Sequence, residues 1–131
     1  MDINILKIAS DTKNNKHIHN CTHSMKYKSQ ICGDEIEIFL IIKDNVIKDF
    51  SYQSQSCIYC NASANLATKN FKKKSKDKIK HFLKLLEQFN DKENILFSNE
   101  WKDFKKIFNK KNFARKECLT LPIKALKKVI K

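Results

Sequence analysis

One pentapeptide, Ile31-Cys32-Gly33-Asp34-Glu35, constrains the fold of this chain more than any other stretch. Gly33 is the only glycine among 131 residues, so a chain that otherwise avoids glycine uses it at a single place. We interpret this place as a backbone position that a Cβ would block. Cys32 and Asp34 flank the glycine, and the backbone therefore presents a thiol and a carboxylate two residues apart.

Two further cysteines, Cys57 and Cys118, each lie at the edge of a segment with helical spacing. A thiol at the start of a helix faces the positive end of the helix dipole, which favours the thiolate form. Three thiolates and one carboxylate are a suitable donor set for a tetrahedral metal ion of the zinc type. Our central hypothesis is therefore a metal site built from Cys32, Asp34, Cys57 and Cys118.

Alternating apolar residues predict a β-hairpin directly after the pentapeptide. The alternation starts at Glu35, Asp44-Asn45 supplies a turn, and a second strand follows. In that second strand, strict alternation places Phe50 and Tyr52 on one face and Ile47 on the other. An antiparallel hairpin brings the segment before its first strand beside the segment after its second. The cysteine that follows the hairpin is therefore predicted to lie next to the pentapeptide.

Apolar residues at helical spacing predict helices on both sides of the hairpin. The predicted helical segments are residues 2–10, 57–71 after a Ser56 cap, 77–90, 101–108 after a Ser98 cap, and 118–131. Pro122 is assigned to the first turn of the last helix, where proline is tolerated. Residues 11–25 are polar and are predicted to form a loop.

Several histidines and cysteines lie outside the metal-site hypothesis. His19, Cys21 and His23 alternate in the polar loop, and we interpret them as ordinary loop residues because ligands on a flexible loop are a weak signal. Cys60 forms a Cys-x-x-Cys pair with the preceding cysteine, which suits a redox or metal pair, but a small buried residue is the favoured interpretation. His81 lies beside an apolar stripe and is assigned a structural or exposed role.

The amino-acid composition bears on whether this chain binds nucleic acid or membranes. The formal net charge of +13 invites a nucleic-acid or anionic-membrane interpretation. All basic residues but Arg115 are lysine, and lysine, asparagine and isoleucine have A/T-rich codons, so a biased genome explains the charge. The sequence has no secretory signal and no run of about 20 apolar residues. We therefore expect a cytoplasmic protein that binds neither nucleic acid nor membrane, with cysteines used for metal or sulfur chemistry.

With these positions in hand, the sequence resembles the iron–sulfur cluster assembly proteins of the IscU/SufU family, also called the NifU N-terminal domain family. The matching fragments are Cys32-Gly33-Asp34, residues 45–49, Ser56-Cys57 with Ala62-Ser63-Ala64, and residues 114–118 with Leu119-Thr120-Leu121. The resemblance covers residues 25–131 of a single 1–131 domain, and 1–24 is a poorly matched helix and loop. The long interval between Cys57 and Cys118 is similar to that of the SufU branch.

The resemblance implies an α+β fold, with a small antiparallel β-sheet of about three strands and helices packed on one face. It implies that Cys32, Asp34, Cys57 and Cys118 bind zinc or, alternatively, that the three cysteines hold a [2Fe–2S] cluster. In SufU-like members, a cysteine at the position of Cys32 accepts sulfur as a persulfide from a cysteine desulfurase that contains pyridoxal phosphate. Cys32 and Cys118 are the candidate acceptors in this chain.

The implied partners are a SufS- or IscS-like cysteine desulfurase and downstream iron–sulfur assembly or apo acceptor proteins. The implied role is that of a scaffold or sulfurtransferase-like acceptor rather than a classical enzyme, in a monomer or weak dimer. The chain departs from the family pattern at Ser56, where glycine is usual, and at Glu117, where histidine or lysine is usual. The change at Glu117 removes a positive charge from the site.

Two other functions stay open on the residues alone. A structural zinc-binding domain for protein interaction would bind metal without accepting sulfur. A basic nucleic-acid-binding domain would show strongly salt-dependent binding. The last is the least favoured, because the sequence lacks the interleaved aromatic and basic residues that are typical of single-strand platforms.

Overall fold

The computed structural model describes residues 2–130, and its elements run as one helix, three strands and three further helices. The strands are β1 (His23–Lys28), β2 (Glu35–Lys43) and β3 (Val46–Gln55), and the helices are α1 (Ile3–Ala9), α2 (Ile58–Phe71), α3 (Lys76–Glu87) and α4 (Lys116–Val129). Three 3-10 helices, Gln88–Asn90, Asn99–Lys106 and Lys110–Arg115, lie between α3 and α4. Met1, and Lys131 at the end of the predicted last helix, lie outside the described residues.

The three strands form one antiparallel sheet in the order β1-β2-β3. Asp44 and Asn45 join β2 to β3 with φ angles of 54° and 64°, the left-handed backbone of a type I′ turn. The predicted hairpin and its turn are therefore confirmed, as is the α+β fold with a small antiparallel sheet. None of the helices formed by residues 2–130 has the length and apolar composition needed to cross a membrane.

Strand β1 corrects the predicted loop over residues 11–25, because a strand begins at His23. Only Met25 and Tyr27 are half-buried in β1, and the other four side chains are exposed. An edge strand pairs on one side only and needs few apolar residues, so its sequence resembles a loop.

A β-bulge in β3 places Ile47 on the other face of the sheet from the one predicted. The pairing of β2 with β3 shifts between Ile41 and Ile42, which leaves Lys48 as an extra residue in β3. The extra residue interrupts the alternation of side chains. Ile47 is therefore fully buried in the same core as Phe50, rather than on the opposite face.

The core lies between the sheet and helices α2 and α4, which also pack against each other. Rings from α2, α3 and the 3-10 helix Asn99–Lys106 extend it: Phe82 stacks on Trp101 with 4.3 Å between ring centroids, and Phe71 stacks on Phe104 at 5.6 Å. The segment before β1 crosses the opposite side of the sheet, where the ring of His17 packs on Phe39 at 4.5 Å.

Two predicted helix starts are wrong in detail. Helix α2 begins at Ile58 with Cys57 as its N-cap, one residue later than the predicted Ser56 cap. Helix α4 begins at Lys116, so Pro122 lies in its second turn rather than its first. Because proline has no N–H, Pro122 cannot donate the usual helical hydrogen bond to the carbonyl four residues earlier.

Candidate metal centre

The loop that joins β1 to β2 carries the first two candidate ligands. The Ser29 N–H donates to the Asp34 carbonyl at 2.8 Å and closes this loop directly beyond the last β1–β2 pair. Gly33 has a φ of +76°, and no atom lies within 4 Å of the position that a Cβ would take. The prediction that this backbone position favours glycine is therefore confirmed, and the reason is the left-handed backbone rather than lack of space.

The β2–β3 register brings Cys57 to the same end of the sheet as this loop. Glu35 pairs with Gln55, so Asp34 and Cys57 both lie just beyond the last pair of the hairpin. The backbone N–H of Cys57 donates to the Asp34 carboxylate at 3.4 Å. The predicted approach of Cys57 to the loop is therefore confirmed.

A small polar network holds the backbone around Cys57. Ser54 Oγ donates to Asn61 Oδ1 at 2.6 Å, and Ser56 Oγ lies 3.2 Å from the same oxygen. These contacts tie the end of β3 to the first turn of α2. The chain between them, which carries Cys57, is thereby held at both ends.

Cys118 reaches the site from the first turn of α4. Ser63 Oγ, which is buried in α2, donates to the carbonyl of Leu119 at 2.6 Å and fixes the start of α4 against α2. Thr120 Oγ1 donates to the carbonyl of Lys116 at 2.7 Å within the same turn. Sequence patterns did not indicate these supporting hydroxyls, because such contacts have no periodicity.

Cys32, Asp34 and Cys118 converge at this end of the sheet. The two Sγ atoms and a carboxylate oxygen all lie within 4.8 Å of one another. Cys32 is exposed, Asp34 is half-buried and Cys118 is buried, so the group leads from solvent into the protein. Across residues 2–130, no other three histidine, cysteine or acidic side chains gather this closely.

Cys57 adjoins this group, because its backbone N–H contacts the Asp34 carboxylate and its thiol neighbours that of Cys118. Burial raises the pKa of the Cys118 thiol well above its ordinary value, and the neighbouring thiols of Cys57 and Cys32 raise it further. Thiolates crowded in this way repel one another, and a bound cation offsets that repulsion. The donor set of three sulfurs and one carboxylate oxygen fits zinc or iron.

The other cysteines and histidines take different places. Cys60 is fully buried in the core, and burial raises the pKa of its thiol to about 12, which agrees with the favoured interpretation as a small buried residue. His17 packs edge-on against His19 at 4.7 Å, and Thr22 Oγ1 lies 2.8 Å from His23 Nδ1.

The rim of the site combines apolar and paired charged side chains. Ile31, next to Cys32, is 74% exposed. The Arg115 guanidinium lies over the ring of Tyr59 at 5.1 Å. Glu117, the acidic departure noted in the sequence, forms an ion pair with Lys124 at 3.2 Å. The charge of Glu117 is therefore partly compensated within α4.

Comparison with known proteins gives consistent matches. The family model described as the NifU-like N terminal domain matches residues 3–90. The iron–sulfur cluster assembly scaffold protein IscU of Thermotoga maritima is 28% identical over 128 residues, which cover 97% of this chain and 89% of that protein.

Two solved structures share the fold. The N-terminal part of a nitrogen-fixing NifU-like protein from Brucella abortus has a TM-score of 0.86 at 19% identity, covering 97% of this chain and 89% of that one. The SufU scaffold protein for the SUF system from Fervidobacterium islandicum has a TM-score of 0.83 at 21% identity, covering 98% and 94%. At these identities, the likeness concerns the fold alone.

Proposed function

This chain belongs to the NifU-like N-terminal domain family, that of the IscU- and SufU-type proteins, and we propose from this membership that it acts in iron–sulfur cluster assembly. The T. maritima relative is named as a scaffold for that process. The observation that carries the proposal is the convergence of Cys32, Asp34 and Cys118 within 4.8 Å, with Cys57 beside them. These four residues come from three separate segments and meet at one end of the sheet.

We propose that Cys32, Asp34, Cys57 and Cys118 hold zinc when no cluster is present. Bound zinc would keep the thiols deprotonated at neutral pH and tie the three segments together. The chain itself presents the donors on two loops and one helix start, each held by its own backbone contacts. Asp34 is the hardest of the four donors, so it is the one that an incoming thiolate displaces most readily.

The exposure of the thiols supports Cys32 as the first sulfur acceptor. Cys32 is open to solvent, whereas Cys118 is 5% exposed. In the proposed step, the Cys32 thiolate attacks the outer sulfur of a persulfide on a cysteine desulfurase. A new S–S bond forms on Cys32, the S–S bond of the desulfurase breaks, and its cysteine leaves as a thiolate.

The second part of the proposal concerns a cluster that is assembled on this chain and then transferred. A [2Fe–2S] cluster assembled on the same cysteines would pass to downstream assembly or apo acceptor proteins. We also propose a cytoplasmic location, because a metal site of several thiols requires a reducing compartment.

Mass spectrometry after incubation with a cysteine desulfurase and cysteine tests the acceptor role. The expected result is a mass gain of one sulfur atom on Cys32, which the variant Cys32→Ser loses. Cys21→Ser is the matched control, because Cys21 is half-buried in a different loop, and this variant should gain sulfur normally.

Two further measurements distinguish the proposed function from its alternatives. Visible absorption after reconstitution with iron and sulfide would support the scaffold role. Zinc binding without any sulfur gain or cluster absorption would contradict the proposal and leave a structural zinc-binding interaction domain.

A further inference from the structure

The loop that carries Cys32 is not anchored by burial of its own side chains. Gln30, Ile31, Cys32 and Gly33 are all exposed. The direction in which the Cys32 side chain leaves this loop therefore depends on backbone hydrogen bonds. Those bonds converge on one residue at the start of the loop.

That residue is Ser29, which is 9% exposed. Its Oγ accepts hydrogen bonds from the backbone N–H groups of Ile31 at 3.2 Å and of Cys32 at 3.1 Å. Its own N–H donates to the Asp34 carbonyl at 2.8 Å, and its carbonyl accepts from the Gly33 N–H at 3.2 Å. Every residue from 31 to 34 thus bonds to Ser29.

We propose that Ser29 is a positioning residue that holds Cys32 in the orientation needed to share a metal ion with Asp34 and Cys118. A hydroxyl oxygen has two lone pairs, so one side chain can accept both N–H groups and fix two successive peptide planes. Mutation of side chains that orient metal ligands in this way typically lowers metal affinity about 10- to 100-fold. This inference rests on the proposed assignment of Cys32 as a ligand.

The geometry separates a positioning role from a structural one. In Ser29→Ala, the two backbone bonds of residue 29 remain, and the freed N–H groups of Ile31 and Cys32 belong to exposed residues that water can reach. The metal-free variant should therefore unfold at nearly the same urea concentration as the wild type. In contrast, the Cys32 side chain of this variant should no longer be held in a fixed orientation relative to Asp34 and Cys118.

The test measures zinc affinity by competition with a chromogenic chelator, together with the visible spectrum of the cobalt-substituted protein. Ser29→Ala is expected to weaken zinc binding about 10- to 100-fold and to change the cobalt absorption bands. Ser29→Thr keeps the hydroxyl and should restore affinity to near the wild-type value. Ser24→Ala, an exposed serine on β1, is the matched control and should bind zinc normally.

Zinc affinity and cobalt spectra of Ser29→Ala that equal those of the wild type would overturn the inference, as would a Ser29→Thr variant as weak as Ser29→Ala. Cys32→Ser distinguishes this failure from failure of the proposed function. If Cys32→Ser loses zinc and Ser29→Ala does not, only the positioning role is wrong. If Cys32→Ser also keeps zinc at full affinity, the ligand assignment itself is wrong.

Discussion

Single residues at the loop between β1 and β2 decide how the candidate ligands are presented. Gly33 is required for its backbone angle even though a side chain would fit beside it. Ser29 supplies hydrogen bonds to a loop tip whose own side chains are exposed. Backbone conformation, rather than packing, therefore sets the geometry of Cys32.

Replacement of Gly33 by alanine should lower the free energy of unfolding by about 1–2 kcal/mol, because an L-residue is strained at φ +76°. Asparagine tolerates the left-handed region better, so Gly33→Asn should lose less. Urea denaturation of the metal-free protein measures both values. Equal stability of the alanine variant and the wild type would refute the backbone explanation.

The contrast between Cys32 and Ser29 shows which parts of the site could be predicted from the sequence. Cys32 and Asp34 stand out by their chemistry and by the single glycine between them. Ser29 is one of several serines near the site, and its role depends on where two N–H groups point, which only the folded loop determines. Cys118 was included for its thiol and its position at the edge of a helical segment, and the family resemblance supported that choice. Helix α4 itself has no local pattern that indicates its position on the sheet.

Among the elements, local signals were sufficient for the β2–β3 hairpin and insufficient for its neighbours. Asp44-Asn45 adopts the turn that its residue types favour, so this pairing follows from adjacent sequence. Strand β1 pairs with β2 across the loop of residues 29–34 and carries few apolar residues, and the bulge at Lys48 adds one residue to a regular alternation. Neither strand β1 nor the bulge produces a periodic pattern of apolar residues that could be recognised in the sequence.

A hydrogen-bond chain connects three of these elements and predicts a measurable coupling. Tyr52 in β3 donates to Asn65 Oδ1 in α2 at 2.6 Å, and Asn65 Nδ2 donates to the carbonyl of Ile8 in α1 at 2.8 Å. Tyr52→Phe leaves the buried Asn65 oxygen without this donor, so we expect a loss of about 1–3 kcal/mol in the free energy of unfolding.

Urea denaturation of Tyr52→Phe beside Tyr27→Phe tests this coupling. Tyr27 is half-buried in β1 and its ring lies under Lys128, so removal of its hydroxyl should change stability little. Equal losses for the two variants would show that the buried hydrogen bond contributes nothing specific.

For the molecule as a whole, the candidate metal site joins segments that the chain separates widely. Asp34 precedes the hairpin, Cys57 follows it, and Cys118 lies in the first turn of the last helix. An ion bound to all of them would cross-link the sheet to α2 and α4. The proposed metal therefore has a structural consequence that can be measured independently of sulfur transfer.

Zinc at a hundredfold excess over its Kd should raise the free energy of unfolding by about 2.7 kcal/mol, because the ion binds the folded chain in preference to the unfolded one. For a domain of this size, the corresponding rise in Tm is roughly 10 °C. Thermal denaturation with zinc and with a chelator measures the shift, which should shrink in Cys57→Ser and persist in Cys21→Ser. A Tm that does not respond to zinc, or a full shift in Cys57→Ser, would mean that the ion does not link the hairpin to α2, because Cys57 is the residue at which the two meet.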